Sequence, residues 1–135
     1  IEFGKWTLNN VDLVVLSACE TGLGGKFGNG KEVLGLGYQF QNRGVRATIA
    51  SLWRVSDGGT KTLMSEFYKN ALKGDVTKAE ALRQAQIALI KDDGSTPGVK
   101  NRGMFKREPV NPEPTTKKLQ HPHYWAPFIL IGNGL

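Results

Sequence analysis

The stretch Val11-Asp12-Leu13-Val14-Val15-Leu16-Ser17-Ala18-Cys19-Glu20-Thr21-Gly22 decides the fold. Its apolar run, Leu13 to Leu16, is β-branched and aliphatic on both faces, the composition of a strand buried between two helical layers. The run stops at two small residues, Ser17 and Ala18, and Gly22, Gly24 and Gly25 follow, so the backbone turns sharply there. This reads as a central strand of a parallel sheet over 11–17. Cys19, the single cysteine of the 135 residues, then stands at the carboxyl end of that strand. In open α/β sheets this edge gathers ligands and chemistry, because loops leave the scaffold there and helix N-termini point toward the same crevice.

Two readings of Cys19 compete. A lone free cysteine is commonly a small buried hydrophobe. At the mouth of a Gly-rich loop a thiol is instead placed for nucleophilic attack, with backbone N–H groups able to hold an oxyanion and a histidine needed to generate the thiolate.

On the N-terminal side, Phe3, Trp6 and Leu8 alternate with polar residues, as in a short strand or an extended lead-in. Beyond the cysteine, residues 22–30 hold five glycines and cannot keep regular structure cheaply. The absence of a Gly-Lys-Ser/Thr ending argues against a phosphate-binding loop there and for a mobile active-site loop. Val33, Leu34, Leu36, Tyr38 and Phe40 predict a buried helix over 30–42, closed at Gly44. Val45 to Trp53 reads as a second buried strand, and strand, helix, strand in this order makes a right-handed crossover between parallel strands.

Ser56 or Asp57 is expected to cap a helix beginning near Gly58. Leu63, Met64, Phe67, Tyr68, Ala71 and Leu72 give that helix its apolar face, and Lys73-Gly74 closes it. Thr77 with Glu80 forms a capping box for a further helix to about Lys91. Residues 93–120 contain four prolines and many charges, the composition of a long polar, basic surface loop. Phe128 to Ile131 form a final strand, led in by His121-Pro122-His123-Tyr124-Trp125. The two histidines alone do not complete a three-ligand zinc site.

Composition sets outer bounds. A hydrophobic share of 39% with 22% charged residues is that of one globular domain. The net charge of +6 gathers at Lys100, Arg102, Lys106, Arg107, Lys117 and Lys118, a proline-containing stretch poor in aromatics. A solvated loop is expected there, with no nucleic acid as partner. No apolar run approaches a membrane span and no signal peptide is seen. One cysteine fits a reducing compartment, so a cytoplasmic protein with no membrane partner is expected. The start, Ile1-Glu2-Phe3, lacks a methionine, so a fragment or processed piece is expected.

Five blocks in order, Ser17 to Gly22, Glu32 to Leu36, Ala50 to Asp57, Ala79 to Gln86 and His121 to Phe128, resemble the CHAT domain. That family sits with caspases and separase among the caspase-fold cysteine peptidases. The resemblance spans roughly residues 11 to 133, the second half of the family's domain. It implies an α/β caspase-like three-layer sandwich, seen here as its C-terminal half. Its mostly parallel sheet has strands at 11–17 and 45–52, an antiparallel edge strand at 126–132, and helices on both faces. It also implies a thiol endopeptidase with Cys19 as nucleophile. The family's catalytic histidine lies upstream of the cysteine, beyond this chain, so the isolated residues are expected to be inactive and their first strand to expose an unpaired edge that favours self-association.

Similarity to separase aligns Asp57 with an aspartate that receives a basic residue before the scissile bond. Helix capping is the competing role of that position. Asp57, Trp53 and Glu20 are thus the expected substrate-binding residues, with Trp53 as the aromatic wall. The implied partners are a protein substrate and repeat-containing adaptor regions of the parent protein, with no metal or cofactor. Two other classes stay open: a non-catalytic interaction or assembly module of the same fold, and a ligand-binding α/β domain using its Gly-rich loop.

Overall fold

A computed structural model describes residues 7–16, 31–91 and 119–135. Its elements are β1 (Leu13–Leu16), α1 (Lys31–Gln41), β2 (Ala47–Ser51), α2 (Asp57–Ala71), α3 (Lys78–Ile90), a 3-10 turn at Pro122–Tyr124, and β3 (Phe128–Gly132). Phe3, Trp6, Cys19, Glu20, the Gly-rich segment and nearly all of the basic loop lie outside the described residues. The chain divides into two units, residues 1–54 with 127–135, and residues 55–126.

The first unit is an α/β sheet of order β1-β2-β3. β1 and β2 are parallel, with Leu13 opposite Ala47 and Leu16 opposite Ala50. β3 returns antiparallel, with Ala47 opposite Gly132 and Ser51 opposite Phe128. The parallel pair and the antiparallel edge match the expectation. β2, flanked on both sides, is buried at all five residues.

β1 departs from the reading as a strand covered on both faces, since Val15 is 36% exposed. Among the described residues β1 pairs only with β2, and a strand with one neighbour keeps more of its surface in water. α1 also differs from the expected all-round burial. Leu34 and Tyr38 are 50% and 61% exposed, because the helix meets the sheet along one side only. There Gly37 is buried, and a Cβ on it would lie 2.6 Å from Ile131 Cδ1. Gly44 closes α1 with a φ of +95°, its N–H donating to the Gln41 carbonyl, as the sequence predicts.

The second unit is built on α2 packed against α3. Leu63 and Phe67 of α2, and Ala81, Leu82, Ala85 and Leu89 of α3, are buried. The alanines let the helices approach closely. Thr62, Glu66 and Asn70, spaced four apart on α2, are also buried. Thr62 donates to the Gly58 carbonyl, while Lys69 and Lys73 reach back to Glu66 and Asn70. Tyr68, expected in the core, is 45% exposed; only Phe67 of that adjacent pair points inward. Among the described residues no helix is long and apolar enough to cross a membrane.

Candidate active site

β1 and β2 run in parallel, so the chain leaves both at one edge of the sheet. After Leu16 it proceeds toward Cys19 and Glu20, which lie outside the described residues. After Ser51 it proceeds through Trp53 to Asp57.

The second exit is held by local bonds. The Ser51 hydroxyl donates to the Trp53 carbonyl, and the Leu52 N–H to the Pro127 carbonyl at 3.0 Å. Trp53 itself is 40% exposed. It belongs to the first unit, whereas Asp57 belongs to the second.

The contest over the helix cap is resolved at Ser56. With φ of −60° and ψ of 150°, Ser56 is extended, and its side chain accepts the Gly59 N–H at 3.3 Å. Asp57 is therefore the first helical residue. It is exposed and, among the described residues, its carboxylate takes part in no hydrogen bond or ion pair. Its charge suits the positive end of the helix dipole, and its oxygens are not consumed by capping.

His121 and His123 are exposed. His121 Nδ1 accepts the His123 N–H at 3.2 Å, capping the 3-10 turn, and the His123 ring meets Tyr124 edge to face. Trp125 Nε1 donates to the Gln120 carbonyl at 3.0 Å, and Gln86 Nε2 donates to the Trp125 carbonyl at 3.1 Å. These bonds give the block a structural role. Among the described residues no three of His, Cys, Asp and Glu are grouped to hold a metal.

The most displaced carboxyl lies on α3. Glu80 is held down at about 2, first by the Arg83 guanidinium and then by the Gln84 amide, and Arg83 is pushed up in return. The anticipated capping box is half formed. Thr77 accepts the Glu80 N–H at 3.1 Å, while the Glu80 carboxylate binds Arg83 at 2.7 and 2.8 Å.

Sequence reasoning passed over Gly59, Gln86 and Tyr124. The signal for Gly59 was in view, since two successive glycines in a helix's first turn are poor helix formers unless something occupies the space of their side chains.

No curated protein and no solved structure matches the chain. The sequence model of the CHAT domain, however, matches residues 2–133, nearly the whole length, in agreement with the five ordered blocks and the mixed sheet. The chain belongs to the CHAT domain family.

Proposed function

We propose that this CHAT domain is the C-terminal half of a caspase-like three-layer sandwich and that it serves a cysteine endopeptidase. Cys19 is the nucleophile. A histidine from outside residues 1–135 takes the thiol proton and returns it to the leaving amine, the peptide carbonyl becomes a thioester, and water hydrolyses it. Backbone N–H groups hold the oxyanion. Asp57 receives a basic side chain, and Trp53 and Glu20 are further substrate contacts.

The observation that supports this reading is the parallel register of β1 and β2, Leu16 opposite Ala50, by which the chain leaves both strands at one sheet edge, shortly before Cys19 and Trp53 in sequence. The assignment of the cap to Ser56 adds support, because it leaves the Asp57 carboxylate available. Among the described residues β1 is paired on one side only, which supports pairing with a further strand, from the parent protein or a second copy. Strictly monomeric size-exclusion behaviour at every concentration would count against association between copies.

A peptidyl-arginine acyloxymethyl ketone tests the chemistry. The full-length protein is expected to be labelled at Cys19, and the Cys19→Ser variant is not. Failure of Cys19 to react in the folded full-length protein overturns the peptidase and leaves an assembly module.

A further inference from the structure

The geometry points to the His121–Trp125 turn as the support that positions Asp57, with Tyr124 and Gln86 as positioning residues for substrate selection; this rests on the reading of Asp57 given above. The first turn of α2 is Asp57-Gly58-Gly59-Thr60. Each glycine there costs up to about 1 kcal/mol relative to alanine, so the turn that carries the carboxylate is intrinsically weak. Both glycines are nevertheless buried. A Cβ at residue 59 would lie 2.8 Å from Tyr124 Cδ1 and 3.0 Å from Val55 Cγ1. The tyrosine ring thus fills the volume that a side chain two residues after Asp57 would need.

The turn that delivers this ring is tied on all sides. His121 caps it, and the Tyr124 and Ala126 N–H groups donate to the His121 and Pro122 carbonyls at 3.0 and 2.8 Å. Gln86 fastens it to α3 through the Trp125 carbonyl. The glycine pair gives up helix propensity and gains a rigid aromatic seat anchored to a second helix. A carboxylate that pairs with a guanidinium through two parallel hydrogen bonds needs such a fixed base. A displacement of about 1 Å can cost up to about 10²-fold.

The test compares kcat/KM of the full-length protein on matched peptides with arginine or norleucine before the scissile bond. Asp57→Asn is expected to abolish the preference for arginine. Tyr124→Phe keeps the ring and the preference. Tyr124→Ala lowers the preference at least about tenfold, through KM for the arginine peptide alone. Gln86→Ala, which removes one hydrogen bond, shifts it the same way by about threefold and serves if Tyr124→Ala does not fold. An unchanged preference in both Tyr124→Ala and Gln86→Ala, or an equal fall on both peptides, overturns the positioning role while Asp57 stands. An unchanged preference in Asp57→Asn overturns the reading of Asp57 and this inference with it.

Discussion

β2 buries two hydroxyls that should respond to removal with opposite sign. Thr48 is fully buried, and among the described residues its Oγ1 has no hydrogen-bond partner. In register it lies between Val14 and Ile131, on the face of the sheet where α1 meets Ile131. An unsatisfied buried hydroxyl costs about 1–3 kcal/mol. Thr48→Val keeps the branched shape and replaces that hydroxyl with a methyl, so a gain of about 1–2 kcal/mol is expected. Ser51 is 4% exposed, but its hydroxyl donates to the Trp53 carbonyl. Ser51→Ala loses that bond at a cost of about 1 kcal/mol. For a chain of 135 residues, 1 kcal/mol moves the melting temperature by about 4 °C. Urea titrations and thermal melts followed by far-ultraviolet circular dichroism read both effects. A destabilised Thr48→Val, or a Ser51→Ala variant as stable as the parent, would refute the hydrogen-bond assignment in β2.

Two further outcomes are expected. Gly35→Ala, where a Cβ meets nothing within 4 Å, should stabilise α1 by up to about 1 kcal/mol, whereas Gly37→Ala, which drives a Cβ to 2.6 Å from Ile131 Cδ1, should fall below it by an overpacking cost of about 1–3 kcal/mol; denaturant midpoints compare the pair. The Glu80 carboxyl, lowered from 4.5 to about 2 by Arg83 and Gln84, contributes stability that is complete above 4.5 and is lost as pH falls toward 2, so the melting difference between the parent and Glu80→Gln should shrink over that window.

The elements most legible in the sequence were those governed by neighbours along the chain. The apolar runs at Leu13–Leu16 and Phe128–Ile131 gave strands, Thr77 gave a cap, Ser56 was one of two cap candidates beside Asp57, and Gly44 gave a helix stop, each from chemistry within a few residues. Exposure of Leu34, Tyr38 and Tyr68 was not legible, because it depends on which face of a helix finds a neighbour. The seating of Tyr124 on Gly59 joins residues 65 apart in sequence, a relation that no local periodicity encodes. Glu80 kept only half of its expected cap because Arg83, one turn away, competes for the carboxylate with a charge-assisted pair of hydrogen bonds. Of the candidate site, Trp53 and Asp57 have a described setting, while Cys19 and Glu20 lie outside the described residues.

The first unit is assembled from two separated stretches of chain, and β3, which completes its sheet, is joined to β2 only after the whole second unit has intervened. Closing a loop of roughly eighty residues carries an entropy penalty that β1 and β2, linked by a single helix, largely escape. During synthesis β2 therefore acquires its parallel neighbour early, and its other flank stays bare until residues 128–132 emerge to cover it. The Phe128–Gly132 segment thus acts as a late seal on a sheet whose other two strands are already paired.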